Sequence, residues 1–487
     1  KFRPLPRFAI WQGKWRCIDD ALAAGSNQDG TSTHETIVCD TADSPMRIGI
    51  VFHELGPPPS EPELEVEMGG SGDDAFAAYR RICTADEAYT IFMVAAPPDA
   101  LSPGSELQVL LFKVPGHNFG LVSAVLNWNA TAEAPLRFSR RFFGTCATRF
   151  YDDHQVTEPR YAASSGQSCH FELHELLHFH FDYGKHTLWS PVHKYIGVET
   201  DWSRERDGIV SIGAGRDRRN KIRDMIRRAF ASDSLTPAEA STLRGKSRYC
   251  VSPVFGRVGV AAVHLLRERQ YSRSKEHGLT DELRDILRLL DAVVDQLPSF
   301  TVHFRQDRIR PMCVVLTDAS FATGHTWLGF LIMCPIRGGL WAGAATPAWL
   351  LRVLQTHKQR DTYIGQLESA VVSSPLLSVL DRFPDILSDR PVMHYIDNQG
   401  SLYSVINGRS SDDDTNRLVF VSRLYYARAR CDVWYDYVPS ASNIADLPTR
   451  LDAAAFTRLE KVARRVPFRL IPEWCMSCPY ARLASLF

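Results

Sequence analysis

The stretch Phe150-Tyr151-Asp152-Asp153-His154 places two adjacent carboxylates directly after an aromatic pair. The residues before it are largely apolar, so the pattern predicts a β-hairpin that ends one strand and holds both carboxylates at a bend. Mg²⁺ binds hard oxygen ligands in a near-octahedral set, and paired carboxylates at a fixed point meet that need. An isolated Asp-Asp pair is more often a solvated turn, so the rest of the chain has to decide between the two interpretations.

Length and composition indicate an ordinary globular protein. The 487 residues are enough for roughly two to four domains. Hydrophobic residues make up 45% and charged residues 23% of the chain, which allows a sizeable core and argues against long disorder. Lys plus Arg and Asp plus Glu both number 56, so global charge gives no indication of a nucleic-acid partner. Such a partner has to be recognised through local patches.

Cysteine usage and hydropathy bear on location. The 11 cysteines have no regular spacing, which predicts reduced thiols in an intracellular protein, cytoplasmic or nuclear. No apolar run of about 18 residues occurs, so we expect no transmembrane helix and no membrane partner. We recognise no signal peptide. Because the sequence enters a patterned segment at once, we expect a fragment of a longer protein.

Two local patches are basic. Arg3, Arg7, Lys14 and Arg16 alternate with aromatic residues near the start of the chain, a mixture that suits phosphates and bases. The segment 204–228 carries nine Lys and Arg residues against few acids. Each patch can equally be a solvated surface of a strand or a helix. A helical segment that follows a metal-site domain would favour contact with a phosphate backbone.

The pattern of strands and helices predicts an α/β protein. Residues 204–300 are expected to be all-helical, and a second α/β domain with a mixed sheet and helices on its faces begins near residue 311. The tail at 453–487 is explained by no motif. The predicted strands are 89–95, 108–114, 313–316, 391–396 and 432–438, and the predicted helices are 121–143, 166–181, 361–381 and 398–407.

Asp74 lies about 78 residues before the Asp152-Asp153 pair, so only folding can bring these carboxylates together. The segment Asp74-x-x-x-Ala78-Tyr79-Arg80 resembles the first catalytic motif of reverse transcriptases, and Phe150-Tyr151-Asp152-Asp153 resembles their Tyr-x-Asp-Asp motif. Phe119-Gly120 is similar to the motif between them. Gly184-Lys185 and residues 195–198 are similar to the two motifs that follow. Agreement in order and spacing is far more specific than any single match.

The resemblance implies a right-hand polymerase with fingers and palm at 1–203 and a helical thumb or connection at 204–310. Nucleotidyl transfer uses two Mg²⁺ ions, with Mn²⁺ as an alternative, roughly 3.5–4 Å apart. Asp74 and Asp152 would bridge these ions, and Asp153 would be a less direct ligand. The carboxylates of Asp74 and Asp152 should then lie no more than about 6–7 Å apart.

The resemblance also assigns residues to the incoming nucleotide. Tyr79 would be the aromatic gate that rejects a ribose 2′-hydroxyl, beside Phe119 and Gly120 of the intermediate motif. Lys14 and Arg16 would hold the triphosphate, and Lys185 would protonate the leaving pyrophosphate. The chain departs from the family pattern at three positions, Asp73, Asn118 and Phe150, none of which removes a catalytic carboxylate.

A second carboxylate set lies in the later α/β domain. Its four members occur in predicted strand, helix, strand and helix contexts, in the order Asp318, Glu368, Asp397 and Asp446. This order resembles ribonuclease H over residues 311–452, and it implies four carboxylates around two further Mg²⁺ ions. No histidine lies between Val438 and Asp446, where many ribonucleases H have one. The ending Asn443-Ile-Ala-Asp-x-Pro-Thr-Arg450 is instead similar to retrotransposon enzymes.

Together these resemblances imply the reverse transcriptase and ribonuclease H region of a retrotransposon polyprotein, of the DIRS-like or a related branch. The implied activity is RNA-directed DNA synthesis with cleavage of RNA in the resulting hybrid. The implied partners are an RNA template, a DNA primer, the RNA/DNA hybrid and dNTPs, and other retroelement proteins could also bind. The alternative is a decayed or domesticated copy that binds nucleic acid without catalysis.

Three further motifs contain residue types that can bind metal ions. His174-Glu175-x-x-His178 matches the zinc-protease pattern, in which both histidines would share a helix face, but no third ligand is evident downstream. A metalloprotease is therefore a remote alternative. Cys475-x-x-Cys478 has no matching second pair. The acidic run 412–414 is expected to be a solvated loop rather than a metal site.

Overall fold

The computed structural model describes residues 4–11, 15–29, 37–84, 90–96, 108–118, 120–251, 257–296, 299–304, 311–322, 325–357, 362–450 and 453–486. The chain divides into two compact units, one made of residues 1–196 and 200–205, the other of residues 197–199 and 206–487. Both units combine helices with sheets, in agreement with the predicted α/β class. Among the helices in the described ranges, none is both long and apolar enough to cross a membrane.

The first unit contains two four-stranded sheets, with strand orders β2-β1-β4-β5 and β6-β7-β3-β8. Its strands are β1 (Leu5–Trp11), β2 (Trp15–Asp19), β3 (Met68–Asp74), β4 (Ile91–Ala96), β5 (Gln108–Lys113), β6 (Ala147–Phe150), β7 (Asp153–Pro159), β8 (Thr187–Ser190) and β9 (Val192–Tyr195). Its helices are α1 (Ser26–Asp29), α2 (Ser44–Leu55), α3 (Val122–Phe143) and α4 (Ala163–Leu176). The residues of β10 (Val198–Asp201) are divided between the units.

Strand β3 is central to the second of these sheets, and its sequence Met-Gly-Gly-Ser-Gly-Asp-Asp is rich in glycine because neighbouring side chains cross it closely. A Cβ on Gly69 would lie 2.4 Å from the Trp189 ring, and one on Gly70 would lie 2.5 Å from the Gln155 amide. Strand β7 runs antiparallel to β3, with Asp74 opposite Asp153. This register brings the first predicted motif to the aspartate pair.

The second unit begins with helices and a strand pair. Its first elements are β11 (Ile209–Ala214), α5 (Arg216–Ala231), α6 (Pro237–Val251), α7 (Val260–Leu265), α8 (Arg267–Gln270), α9 (Asp281–Gln296) and β12 (Phe300–His303). The prediction that residues 204–300 are all-helical is therefore wrong. Strands β11 and β12 pair antiparallel, with Ile209 opposite His303. A short apolar run such as 209–214 does not distinguish a buried strand from a helix segment, and its pairing partner lies about 90 residues away.

The rest of the second unit forms one six-stranded mixed sheet with the order β17-β16-β13-β14-β15-β18, as the mixed-sheet prediction requires. β13 to β15 are antiparallel, whereas β16, β17 and β18 run parallel to their neighbours. The strands are β13 (Cys313–Ala322), β14 (His325–Cys334), β15 (Gly338–Ala345), β16 (Pro391–Ile396), β17 (Asp432–Tyr437) and β18 (Ala463–Arg465). The helices are α10 (Ala348–His357), α11 (Ile364–Val371), α12 (Ser374–Val379), α13 (Gln399–Asn407), α14 (Asp413–Arg428), α15 (Ala453–Glu460) and α16 (Trp474–Ser477).

The segment 453–487, which no motif explained, completes the second unit. Strand β18 extends the sheet beside β15, and Ala481 N–H donates to the Asp285 carboxylate of α9 over 2.9 Å. Cys475 and Cys478 are buried, and the carbonyl groups of both accept hydrogen bonds from the Arg417 guanidinium. The Cys-x-x-Cys motif therefore belongs to a packed tail.

The acidic run 412–414 is not a solvated loop. The Asp412 carboxylate caps the N-terminus of α14 by accepting from Thr415 N–H over 3.0 Å, and Asp414 is buried in the first turn. An aspartate at the N-cap followed by acids in the first turn stabilises a helix start. The predicted helix 361–381 is likewise two helices, α11 and α12, because Pro375 lies in the first turn of the second.

Candidate functional sites

The aspartate pair lies at the predicted hairpin. Strands β6 and β7 are antiparallel with Phe150 opposite Asp153, and Tyr151 adopts a left-handed conformation with φ of 56°. Two donors hold this unfavourable turn, because Trp128 Nε1 and Arg149 Nη1 lie 2.9 and 3.1 Å from the Tyr151 carbonyl oxygen. Neither residue belongs to a motif identified in the sequence. Trp128 lies in α3, so its contribution depends on that helix packing against the hairpin, whereas Arg149 lies in β6 itself.

Folding joins Asp74 to the pair. Ala75 N–H donates to the Asp152 carbonyl over 2.8 Å, and the side chains of Asp74 and Asp153 share a hydrogen bond. Burial raises the pKa of Asp152, and the charge of Asp74 raises it further. Burial and the charges of Asp152 and Asp74 raise the pKa of Asp153 to about 6. Three carboxyl groups therefore interact at the hairpin end, at an energetic cost that a cation would relieve.

These carboxylates are close but are not drawn tightly together. Among the described residues, two groups of three side chains each have one ligand atom per residue within 4.8 Å of the others. Asp74, Asp152 and Asp153 do not form such a group. Lys185 Nζ instead lies 2.6 Å from Asp74 Oδ1. Burial lowers the pKa of Lys185, but the hydrogen bond and charge of Asp74 outweigh this and raise it. The ammonium thus neutralises part of the acidic cluster.

The predicted nucleotide-binding residues have mixed outcomes. Tyr79 is half-buried, and after burial the charge of Asp152 is the largest cause of its raised pKa, so the ring lies beside the hairpin. Gly120 has φ of 102°, and a Cβ there would lie 2.5 Å from a backbone oxygen, so the position requires glycine. Lys14 and Phe119 lie outside the described residues, as does the side chain of Arg16 in β2.

Asp73, the additional acid before the first motif, does not join the cluster. Successive side chains of a strand point to opposite faces, so Asp73 and Asp74 diverge. The buried Asp73 carboxylate lies 2.6 Å from His186 Nδ1. Burial raises the pKa of Asp73, whereas the contact with His186 lowers it.

The second set of carboxylates is tightly assembled. Asp318 in β13, Glu368 in α11 and Asp397 after β16 each bring one carboxylate oxygen within 4.8 Å of the others. Asp446 lies in a 3₁₀ helix spanning Ile444–Thr449, where its charge helps to raise the pKa of Asp318 and Arg450 pairs with it. Three of the four predicted residues thus form one compact group, and the fourth lies next to it.

Burial sets the electrostatics of this group. Asp318 and Glu368 are 6% and 2% exposed. Burial, followed by the charges of Asp397 and Asp446, raises the pKa of Asp318 to about 7, although a hydrogen bond from Thr449 opposes the shift. Burial and the charges of Asp318 and Asp397 hold the pKa of Glu368 well above its usual range. A buried acid cluster without its own cation is costly unless protons or metal ions neutralise it.

Two further side chains orient Asp318. Thr449 Oγ1 donates to its Oδ2 over 2.8 Å, and Asn443 Nδ2 lies 3.4 Å from its Oδ1. Ala319 N–H donates to Glu368 Oε1 over 3.0 Å, and the buried Glu368 Oε2 has no hydrogen-bond partner. Asn443 and Thr449 flank Asp446 in the Asn-Ile-Ala-Asp-x-Pro-Thr-Arg segment. That spacing was the available signal for their role.

A concentration of positive charge in the second unit lies outside the predicted patch. In that patch, Arg223 of α5 is engaged by Asp291 and Asp295 of α9 at 3.0 and 2.6 Å. Arg409, after α13, instead lies among several cations. Burial and then the charges of its neighbours lower its pKa, and these neighbours are Arg248, Arg244, Arg267 and Arg257. We call these five residues the Arg409 cluster. Like charges held together favour a polyanionic partner.

The zinc-protease pattern does not form its expected geometry. Helix α4 ends at Leu176, and His178 lies beyond it with φ of 61° and an exposed side chain, so His174 and His178 do not share a helix face. Glu175 bonds to His180 Nδ1 and to Phe181 N–H. The buried His174 instead lies beside His154 and His170, and these three form the second set of clustered ligand atoms.

Solved structures similar to this chain include three of foamy viral protease-reverse transcriptase. The foamy viral protease-reverse transcriptase dRH in complex with ds DNA is 13% identical with a TM-score of 0.42, and the match covers 89% of this chain and 65% of that one. The foamy viral protease-reverse transcriptase in complex with RNA/DNA hybrid is 13% identical with a TM-score of 0.44, covering 92% and 52%. The same protein in complex with dsDNA is 12% identical with a TM-score of 0.41, covering 90% and 78%.

The chain therefore spans about two thirds of the length of the first of these structures and about half of the length of the second. No protein-family model matches the chain. No curated protein matches it either.

Proposed function

We propose that this chain is an RNA-directed DNA polymerase that also cleaves the RNA strand of RNA/DNA hybrids, and that it derives from a DIRS-like or related retrotransposon. The observation that carries the proposal is the pair of carboxylate groups, each assembled from motifs far apart in sequence. Asp74 lies opposite Asp153 across β3 and β7. Asp318, Glu368 and Asp397 converge on the mixed sheet of the second unit.

The ribonuclease site fits hard divalent cations. Its ligand atoms are carboxylate oxygens, and the buried Glu368 Oε2 has no hydrogen-bond partner among the described residues. When bound, two Mg²⁺ ions, or Mn²⁺ in their place, would activate water and stabilise the leaving 3′-oxygen of the RNA strand. Asp318, Glu368, Asp397 and Asp446 are the proposed ligands. Thr449 and Asn443 orient Asp318 so that its two oxygens face defined directions.

The polymerase site uses carboxylates on a turn. Asp74, Asp152 and Asp153 are the proposed ligands of two Mg²⁺ ions that arrive with the dNTP. Lys185, whose Nζ lies 2.6 Å from Asp74 Oδ1, is the proposed donor of a proton to the leaving pyrophosphate. The ring of Tyr79 packs edge-on against Trp128 with centroids 6.3 Å apart, and this fixed position supports its proposed role as the gate against a ribose 2′-hydroxyl.

The nucleic-acid partners are an RNA template, a DNA primer and the hybrid between them. Binding through phosphates and 2′-hydroxyl groups requires no base sequence, and it weakens as salt rises. We assign part of the phosphate contact to the Arg409 cluster, whose mutual repulsion a polyanion would relieve. Lys14, Arg16, Phe119 and Gly120 remain the proposed contacts of the incoming dNTP.

The test is a pair of assays on the full chain with Mg²⁺: primer extension on an RNA template, and cleavage of RNA in a labelled hybrid. Asp152→Asn should abolish extension but not cleavage, and Glu368→Gln should do the reverse. Asp73→Asn, which alters the acid that points away from the site, and Asp385→Asn, which alters an exposed acid paired with Arg337, should retain both activities. Extension that is equal in wild type and Asp152→Asn would refute the polymerase.

The alternative is a copy that binds nucleic acid without catalysis. It is favoured by the Lys185–Asp74 ion pair and by the looser arrangement of the three polymerase carboxylates. Filter binding with the same hybrid separates the two functions. Salt-sensitive hybrid binding without extension or cleavage in wild type would establish the non-catalytic copy.

A further inference from the structure

A group of three buried histidines lies behind the polymerase hairpin. His154 follows Asp153 in β7, and His170 and His174 lie one turn apart on α4. Side chains at positions i and i+4 of a helix share one face, so both α4 histidines can face the strand. One ring nitrogen from each histidine lies within 4.8 Å of the others, and all three side chains are at most 3% exposed. We call this group the histidine triad.

The hydrogen bonds of the triad leave one nitrogen without a partner. His174 Nδ1 lies 2.7 Å from the His170 carbonyl oxygen, which can only accept, so Nδ1 carries the proton and Nε2 presents a lone pair. That Nε2 is buried and has no hydrogen-bond partner. A buried polar atom left unsatisfied costs about 1–3 kcal/mol. The triad therefore contains a buried electron-pair donor, His174 Nε2, with nothing to receive its lone pair.

Two of the three histidines have the outer contacts that metal ligands usually have. His170 Nδ1 lies 2.9 Å from Ser139 Oγ, and its Nε2 lies 3.1 Å from His154 Nδ1. Histidines that bind metals typically use one nitrogen for the ion and hold the other in a hydrogen bond to the protein. His170 and His174 both have such an outer contact, to Ser139 and to a backbone carbonyl.

The triad is packed against an aromatic ring. The ring of Phe181 lies against all three imidazoles, with centroid distances of 5.1, 5.8 and 4.9 Å to His154, His170 and His174. Two guanidinium groups are near enough to act on the triad electrostatically. Both are already paired, since Arg140 binds Asp40 and Arg149 binds Glu133.

We propose that His154, His170 and His174 bind one Zn²⁺ ion, which fastens α4 to β7 directly behind the Asp152-Asp153 turn. Imidazole nitrogens suit Zn²⁺, whereas Mg²⁺ prefers oxygen, so this site is chemically separate from both carboxylate groups. A tetrahedral ion with Zn–N distances of 2.0–2.1 Å places its ligand nitrogens about 3.3 Å apart. The His154–His170 pair already lies at 3.1 Å, so zinc binding needs only to draw in His174 Nε2.

Zinc would replace the hydrogen bond between His154 and His170 and would satisfy the unpartnered His174 Nε2. A small fourth ligand such as water completes the tetrahedron. The role is structural rather than catalytic, because the buried triad has no access to substrate. The ion would add a cross-link between strand and helix at the position where the left-handed Tyr151 turn needs support.

The first test measures metal in the full chain, purified without chelators, by inductively coupled plasma mass spectrometry. We expect about one zinc per chain in wild type and less than about 0.2 in His174→Ala and His154→Ala. The matched control is His178→Ala, which removes the exposed second histidine of the zinc-protease pattern and should keep its zinc. Loss of zinc in His178→Ala but not in His154→Ala would overturn the triad and favour the protease pattern.

A second measurement does not depend on variants that fail to fold. Metal-depleted wild type is titrated with Co²⁺, whose visible absorption reports coordination by nitrogen ligands in a tetrahedral site. Saturation at one equivalent, with competition by Zn²⁺ but not by millimolar Mg²⁺, supports the proposal. An absent spectrum, together with less than about 0.1 zinc per chain after reconstitution, refutes it. Neither readout uses polymerase activity, so the proposed function can fail while the zinc site stands, or the reverse.

Discussion

In both carboxylate groups, acids that repel one another lie close together, but the two groups differ in how this repulsion is compensated. At the hairpin, the Lys185 ammonium lies on Asp74 and the three acids are not drawn within 4.8 Å of one another. On the mixed sheet, Asp318, Glu368 and Asp397 are held within that distance, and the pKa of Asp318 rises to about 7 through burial and like charges. The first group has an ammonium on one of its acids. In the second, Arg450 pairs with Asp446 and lowers the pKa of Asp318, but burial and like charges outweigh this effect.

The difference follows from where each group is built. Asp152 lies on a turn between two short strands, where neighbouring side chains can adjust. Asp318 lies in the centre of a ten-residue strand, opposite Gly329 of β14 and two residues past the last pairing with β16, and Glu368 projects from a helix packed on that sheet. A rigid scaffold can hold repelling charges together, since the folding energy of the whole domain opposes their separation. Such a site is preorganised for metal but strained without it.

The largest expected effect comes from neutralising one acid in each group. Glu368→Gln should reduce hybrid cleavage at least about 10³-fold, because metal-mediated charge stabilisation is worth several kcal/mol. It should also raise the melting temperature in EDTA by about 2–4 °C, since a buried acid is removed. Asp74→Asn should reduce primer extension equally but should not stabilise the protein, because Lys185 loses its partner. Thermal melts in EDTA measure this difference in stability between the two variants. Stabilisation by both variants would contradict the prediction.

Removing the Lys185 ammonium should leave the hairpin carboxylates without the cation that pairs with Asp74. Burial and like charges should then raise their pKa values as they raise that of Asp318. Lys185→Met should reduce extension by about 10²-fold, as expected for a general acid, while hybrid cleavage stays unchanged. It should also raise the pKa of Asp153 further, because the charge of Lys185 at present lowers it. Single-turnover extension over a range of pH measures both effects. An unchanged rate would contradict the role assigned to Lys185.

The Arg409 cluster should matter for binding rather than for either reaction. Arg409→Gln should weaken hybrid binding several-fold and reduce the slope of log K against log salt by about 0.7–0.9, the value for one phosphate contact. The matched control is Arg223→Gln, since Arg223 is engaged by Asp291 and Asp295. Filter binding between 50 and 200 mM salt is the measurement. Equal slopes in wild type and Arg409→Gln would remove the cluster from the interface.

The smallest effect is a pH dependence of the metal-free protein. The pKa of Asp318 rises from 3.8 to about 7 on folding, so its folded form binds the proton more tightly than the unfolded chain. The associated stability is full below pH 4 and is lost as pH rises through about 7. In EDTA the melting temperature should fall by a few degrees between pH 5.5 and 8, and Mg²⁺ should restore it at pH 8. Asp318→Asn should flatten this dependence, and a slope unchanged by that variant would contradict the origin assigned here.

Local patterns predicted much of both sites. The hairpin at Asp152, the strand that carries Asp318 and the helix that begins after Asn398 follow from periodicity and turn residues. Two of the failures have a common cause. The strand pair β11 and β12 depends on a contact across about 90 residues, and the joining of β18 to β15 depends on one across about 120. Neither contact leaves a trace in a short window of sequence.

The sequence by itself determined which residues are candidates for the chemistry: the carboxylates, their order along the chain and the turn that holds two of them. Only the tertiary structure decided their state. It placed Lys185 on Asp74, turned Asp73 away, buried Asp318 beside Glu368 and gathered His154, His170 and His174 behind the hairpin. The physical reason is that side-chain identity follows from covalent structure, whereas burial and charge pairing depend on distances that exist only after distant segments pack.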